Sequence, residues 1–244
     1  QSMWPTLSEE LGMDVEYYQR GNLRLGKTDA HLKKLNTLAS NAQALGLDMH
    51  VIDGKEVKEI CPYLSDEIIG ASWCPTDGHA NPLLTTLAYY KRALQMGVRF
   101  FTEAKVQTLK KIKGALRQVI LETGEIFEGE QVIGSESGLE EATDMAPEDL
   151  RTSALTLSAG CRAVMGYIPM LADAKIVRSW GGWLDLCYDG VPVISKVKEV
   201  PGLILACGFT GHGFGTAPSV GLMLAQMVLG EETVVDISAL RYDR

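Results

Sequence analysis

The chain has no Cys-x-x-Cys pair, no long apolar run and no excess of basic charge. Each absence removes a class of function. Its five cysteines, Cys61, Cys74, Cys161, Cys187 and Cys207, are dispersed along the chain. A structural zinc site or a dithiol redox pair therefore has no ligand framework. Odd in number and scattered, they read as free thiols of a reducing compartment, and the expected location is the cytoplasm. No stretch approaches the roughly 18 consecutive apolar residues of a membrane span. Gln1–Gly12 reaches acidic charge by Glu9 and has no apolar h-region, so it does not read as a secretory signal. A formal net charge of −8 with scattered Lys and Arg leaves no electrostatic footprint for nucleic acid. G-x-S-x-G and H-E-x-x-H are also missing, which disfavours serine-hydrolase and zincin chemistry.

What is present is ordinary globular material: 244 residues, 46% hydrophobic and 22% charged, enough for one large domain or two small ones. Trp4, Leu7 and Leu11 recur at about one turn, as at the end of a helix. Val15–Leu25 reads as strand, turn and strand around Gly21-Asn22. Thr28 or Asp29 caps a helix to Leu45 whose buried face is Leu32, Leu35, Leu38, Ala42 and Leu45. Strands are expected at Met49–Ile52 and Ile68–Trp73, with a short helix over Asp53–Ile60 between them. The turn Pro75–Gly78 precedes His79, read as a helix-start cap. A helix then runs from Pro82 to Met96 on an apolar set of Leu83, Leu87, Tyr90 and Leu94. Val98–Thr102 and Lys105–Lys110 read as strands, and Leu116–Leu121 with Ile126–Ile133 as a hairpin around Thr123-Gly124. Ser135–Leu150 is polar and aperiodic. Ala154–Leu171 is helical, Lys175–Trp180, Leu184–Leu186 and Gly202–Cys207 are strands, and Ala217–Leu229 is an apolar helix. The alternation of elements indicates a mixed α/β fold in which antiparallel sheet dominates.

Glycine is concentrated at one place. Between Cys207 and Gly221 the chain reads C-G-F-T-G-H-G-F-G-T-A-P-S-V-G. Such density suits bare backbone that a ligand approaches, or a structural turn packed under a buried helix. Ala217-Pro218-Ser219 is expected to open the helix, with Pro218 in its first turn. The free N–H groups at such an end favour negative charge. His212 either donates to a ligand or caps nearby backbone.

Four segments, taken together and in order, resemble the FAD-dependent amine and amino-acid oxidoreductases with the D-amino-acid-oxidase fold, a family that includes glycine oxidase, the sarcosine oxidases and the flavin subunits of proline and opine dehydrogenases. They are M-W-P-T-L-S-E-E-L-G-M-D-V-E-Y-Y-Q-R-G-N-L-R-L near the start, C-P-T-D-G-H-A-N-P at Cys74–Pro82, R-S-W-G-G-W-L-D-L-C-Y-D-G-V-P-V-I at Arg178–Ile194, and G-F-T-G-H-G-F-G-T-A-P-S-V-G from Gly208. The resemblance implies an FAD-binding Rossmann-like fold with an antiparallel-sheet substrate domain, here present in part. Residues 1–14 would end an FAD-domain helix. Residues 15–134 would be mainly substrate domain, with returning FAD-domain elements at 82–110. Residues 135–153 would be a junction or gap. Residues 154–244 would hold the rest of the substrate domain and the C-terminal FAD-domain loop and helix. The family's opening G-x-G-x-x-G unit has no counterpart, and a second omission is expected near Ile133–Gly138.

The resemblance also implies site residues. Gly208, Phe209, Gly211, His212, Gly213 and Phe214 would line the flavin, with Ala217 and Pro218 starting a helix aimed at its pyrimidine side. Substrate-binding candidates are Arg178, Trp180 and His212, although Arg178 is also read as a brace for its strand. No catalytic acid or base is assigned, because hydride transfer from the carbon next to nitrogen needs none when the amine arrives neutral. Glycine-oxidase-like members hold a substrate carboxylate with the arginine of a Gly-Leu-Arg-Pro stretch. Here Gly182-Trp183-Leu184-Asp185 stands there, and Gly211 replaces a second arginine. The W-G-G-x-x-D form at Trp180–Asp185 instead resembles the flavin subunit of hetero-oligomeric sarcosine oxidase, so the resemblance implies a small amino acid or a secondary or N-methyl amine as substrate, sarcosine-, glycine- or proline-like. Partner subunits of a hetero-oligomer are implied as well. The competing reading is a non-catalytic subunit or binding module that lacks the dinucleotide half.

Overall fold

A computed structural model describes residues 2–135 and 151–244. Residues 136–150, most of the polar stretch expected to be a junction, lie outside the described residues. The described residues fall into two compact units, one within Gln1–Arg92 and Ala146–Gly182, the other within Ala93–Met145 and Trp183–Arg244.

The first unit opens with a short helix, α1 (Leu7–Leu11), closed by Gly12 in the left-handed region at φ 67°. Trp4, Leu7, Leu11 and Val15 are buried together with Ala88. The expected hairpin around Gly21-Asn22 does not form. Tyr18 instead bridges His79 in antiparallel fashion, and only β1 (Asn22–Gly26) follows. The reason lies at Gly21, which sits at φ 78° with the Trp73 ring where a side chain would stand. Its N–H donates to the Asp77 carbonyl, so the turn is tied to the Cys74–Pro82 segment.

Next come α2 (Asp29–Ala44), β2 (His50–Asp53), α3 (Gly54–Ile60) and β3 (Gly70–Cys74). Thr28 caps α2 through its hydroxyl, which accepts the His31 N–H. The helix buries Leu35, Ala39 and Ala42, whereas Leu45, expected inside, is 82% exposed. Leu45 is the C-cap residue, where the turn toward Gly46 takes the chain off the helical face. The strands form an antiparallel sheet in the order β1-β3-β2. Ile52, Val57, Leu64, Ile68 and Ala71 make its core. Asp53 opens α3 with a full capping box shared with Glu56. Asp53→Ala is expected to lower stability by about 1 kcal/mol, seen as a lower urea midpoint at unchanged slope.

Helix α4 (Pro82–Gln95) reverses the expected amphipathic face. Leu83 is 81% exposed while Ala88 is fully buried. The small Ala88 face allows the close approach of the Trp4 cluster, which a leucine stripe would prevent. Nor does His79 cap the helix. Asn81 does, its Oδ1 accepting from the Leu83 and Leu84 amides.

The unit also holds α5 (Ala154–Tyr167), capped by Ser153 and without a buried residue. Lys27 fastens the end of α5 to the sheet. Its ammonium donates to the Gly166 carbonyl at 2.6 Å, pairs with Glu67 at 2.6 Å and lies 4.6 Å from the Tyr167 ring centroid.

In the second unit β4 (Val106–Ile112), β5 (Ala115–Leu121) and β6 (Ile126–Glu128) form an antiparallel sheet in chain order. The strand expected at Val98–Thr102 is not formed. The expected long second arm Ile126–Ile133 divides in two. Its last part becomes β7 (Val132–Gly134), which pairs parallel to β9 (Leu203–Cys207), and β8 (Val193–Lys196) pairs antiparallel on the other side. The break is dictated by Gly202, whose carbonyl accepts the Val132 N–H. Helix α6 (Gly213–Leu229) covers this sheet, burying Val220, Met223 and Met227 against Ile194 and Ile204. The mixed α/β class read from the sequence is the class observed. No helix among the described residues is long and apolar enough to cross a membrane.

Candidate active site

The glycine-rich segment joins β9 to α6, and its shape is set by the strip Leu184–Gly190 beside it. Neither Lys175–Trp180 nor Leu184–Leu186 forms the expected strand. Leu186 makes only an isolated antiparallel bridge to Phe209. The strip's polar atoms serve the loop instead of a sheet ladder. Asp185 Oδ2 accepts the Gly208 N–H at 2.5 Å, and the Asp185 carbonyl accepts the Thr210 N–H at 3.0 Å. The Cys187 N–H donates to Thr210 Oγ1 at 3.2 Å, and that hydroxyl donates onward to the Gly208 carbonyl at 2.9 Å.

These bonds hold three left-handed positions within one short turn. Gly208 lies at φ 71°, Thr210 at φ 52° and Gly211 at φ 77°. A non-glycine residue in that region costs about 1–2 kcal/mol, and the hydroxyl contacts of Thr210 offset the cost. Gly208 is also closely packed, since a Cβ there would fall 3.1 Å from the Cys187 Cβ and press on it. Gly213 is packed as closely, its added Cβ falling 3.2 Å from the Phe209 Cβ. At Gly215 nothing lies within 4 Å of an added Cβ, so its bare backbone faces open space.

The helix begins earlier than the sequence suggests. Gly213-Phe214-Gly215-Thr216 is already α-helical and His212 is the N-cap residue. Pro218, expected in the first turn, is buried inside the helix. It offers no N–H to the turn before it. His212 provides no side-chain cap. Its Nδ1 lies 2.8 Å from the Thr210 carbonyl. A carbonyl only accepts, so Nδ1 carries the proton, and Nε2 of the neutral ring is the acceptor.

The residues singled out from the sequence therefore divide by role. The Phe209 side chain packs on the core beneath α6, and the Gly208 N–H is committed to Asp185. Gly211, His212, Phe214 and Ala217 are exposed around the α6 N-terminus. Arg178 and Trp180 belong to the first unit. Both are exposed, and the Trp180 carbonyl accepts from the Thr152 hydroxyl at 2.8 Å. Sequence reasoning missed Asp185, Thr210 and Cys187 as the residues that shape the loop. The signal available was Asp185 itself, a carboxylate next to an apolar strip where a strand was expected. Burial pushes the Cys207 thiol above its ordinary range, with the Asp185 charge adding to the effect.

A long helix whose N-terminus has no side-chain cap, reached through exposed glycines, presents backbone dipoles to an anionic or electron-accepting group. This donor set fits the ring end of a flavin, whose negative charge on reduction is what such dipoles stabilise. No G-x-G-x-x-G motif of the kind that cradles a dinucleotide pyrophosphate occurs in the sequence.

The model of the family described as FAD dependent oxidoreductase matches residues 1–135 and again 127–227. The two stretches overlap at residues 127–135. The chain is 24% identical over 290 aligned positions to the beta subunit of the sarcosine oxidase of Arthrobacter sp, covering 94% of the chain and 71% of that protein. It is also 24% identical to one of the subunits of the opine oxidase of Rhizobium meliloti, covering 99% and 80%. Both alignments are longer than the 244-residue chain, so these relatives carry residues inside the aligned span that have no counterpart here. Among solved structures, L-proline dehydrogenase from P. horikoshii superposes with a TM-score of 0.87 at 23% identity, covering 98% of this chain and 79% of that one. The family's match runs through both the sheet of the first unit and the glycine-rich loop and helix of the second, and the chain belongs to the FAD dependent oxidoreductases.

Proposed function

We propose that the protein oxidises the C–N bond of a small amino acid or secondary amine, sarcosine-, glycine- or proline-like, with FAD as its acceptor. The observation that carries this reading is the N-terminus of α6, without a side-chain cap and held open by the Asp185-anchored loop. When bound, FAD supplies a two-electron acceptor for the hydride on the carbon next to nitrogen. The chain's own part is to place fixed dipoles, from Gly211 to Gly215, at the end of the ring that gains charge. The acceptor Nε2 of His212 suits the N–H of a bound amine, and Arg178 and Trp180 are the remaining substrate candidates. Relatives described as subunits of sarcosine and opine oxidases support a place beside partner subunits. Five cysteines without a disulfide support a cytoplasmic setting.

The test is direct. Purified protein is denatured and the supernatant scanned for FAD. The intact protein is then mixed without air with sarcosine, glycine and proline in turn. Released FAD and bleaching of the yellow colour by one of these amines is the expected result. Flavin-free protein that takes up no added FAD would replace this reading with that of a binding module.

A further inference from the structure

The second unit carries a polar constellation outside the loop itself. Arg244 gathers the turn that follows Asp185. Its Nε donates to Asp189 Oδ2 at 2.7 Å and its Nη2 to Asp189 Oδ1 at 3.0 Å, a bidentate pair. Nη2 also donates to the Val191 carbonyl and reaches the Cys187 sulfur at 3.4 Å. Nη1 donates to the Pro192 and Arg241 carbonyls at 3.3 and 2.9 Å. Its side chain is only 22% exposed, so the fork is held and not waving in solvent. Only a guanidinium has the planar set of donors that serves so many acceptors at once.

The tail that delivers it is itself anchored. Lys198 pairs with Asp243 at 3.2 Å, Tyr242 donates to Glu199, and Arg241 pairs with Asp243. The turn it grips is tight, with the Gly190 N–H on the Cys187 carbonyl at 2.9 Å and Gly190 at φ 72°. Cys187 is the link. Its Sγ faces Arg244, its Cβ is the surface against which Gly208 lies, and its N–H holds Thr210.

We propose that Arg244 is a positioning residue for the glycine-rich loop, locking the Cys187–Gly190 turn on which Gly208 and Thr210 rest. It touches no reacting atom. It acts through Asp189 and Cys187, and its importance for catalysis rests on the reading of that loop as the flavin-facing element. The guanidinium beside Asp189 holds that carboxyl well below the usual carboxylate range, so the pair persists across neutral pH.

The experiment reads amide hydrogen exchange in Arg244→Gln, Arg244→Lys, Asp189→Asn and the Arg244→Gln/Asp189→Asn double variant. Exchange of the peptide spanning 207–213 is compared with those spanning 115–121 and 193–197. In Arg244→Gln the loop peptide is expected to exchange about tenfold faster while the strand peptides are unchanged. Asp189→Asn should reproduce this, the double variant should add nothing, and Arg244→Lys should fall between. Unchanged exchange in the loop of Arg244→Gln overturns the proposal. So does a rise spread equally over the strands, which marks Arg244 as a general stabiliser of the unit. The measurement needs no flavin, so its failure is separate from failure of the proposed function, which FAD content decides.

Discussion

Gly202→Ala is expected to cost about 3–5 kcal/mol, as strain and steric overlap add at one position. Gly202 lies at φ 91°, and an added Cβ would stand 2.6 Å from the Leu116 carbonyl oxygen, a backbone atom with no rotamer by which to retreat. Three strands meet there. The Leu116 N–H donates to the Pro201 carbonyl, and the Val132 N–H to the Gly202 carbonyl. Leu116 itself is almost fully buried. Moving any one of them disturbs the entry to β5, β7 and β9 together. Gly124→Ala is the control. Gly124 also has a positive φ, 84°, but nothing lies within 4 Å of its added Cβ. It should lose only the conformational part, about 1–2 kcal/mol. In urea the Gly202 variant should unfold at a midpoint lower by about 1–3 M, and the Gly124 variant by much less. Equal midpoints would show that Leu116 moves aside at no cost.

That junction also shows where sequence reading stops. Residues 126–133 have the alternation of a single strand, and the turn at Thr123-Gly124 is legible from its residue types. Nothing local says that the run must break so that Val132 can lie parallel to Leu203, some seventy positions away. Parallel pairing is settled by a remote partner, and periodicity carries no information about it. The α4 helix failed for a related reason. Its leucines and tyrosine mark an apolar stripe, but packing on the Trp4 cluster demanded closeness, and Ala88 supplies it. Where the rule is local the reading held, as at Thr28, which caps α2, and at the short helix expected over Asp53–Ile60, which forms as α3.

The candidate site was legible in one layer only. Glycines announced the loop, because a bare backbone leaves a compositional trace. Its supports left none. Asp185, Thr210, Cys187 and Arg244 are ordinary residue types, and their importance arises from contacts across 23 to 57 positions. The start of α6 was misplaced for a physical reason as well. Glycine is a poor helix former, so Gly213 and Gly215 argued for coil. In the fold, burial of Val220, Met223 and Met227 extends the helix through them.

The second large effect is expected from Asp185→Ala. The carboxylate is the partner of the Gly208 N–H at 2.5 Å, and a hydrogen bond to a charged group contributes about 1.5–3 kcal/mol. Alanine leaves the Gly208 amide without that acceptor, at the point where β9 turns into the loop. The main-chain bond from Thr210 N–H to the Asp185 carbonyl survives the change, so the strip still follows the loop. Asp185→Asn keeps an oxygen in place and removes only the charge, so its loss should be smaller, about 1 kcal/mol. The loss falls on the loop more than on the sheet, because the Ile194–Ile204–Met227 core is untouched. Under the proposed function the same loss reaches the flavin. Disordering Gly208–Gly211 takes energy from FAD binding, and about 1.4 kcal/mol corresponds to a tenfold weaker complex. The affinity for FAD should therefore fall by roughly tenfold or more in Asp185→Ala and by up to about fivefold in Asp185→Asn. Titration of the stripped protein with FAD, followed by quenching of flavin fluorescence, checks both values. Equal affinity in the alanine variant and the parent would show that the loop keeps its shape without the carboxylate. The dipoles of α6 would then be sufficient on their own.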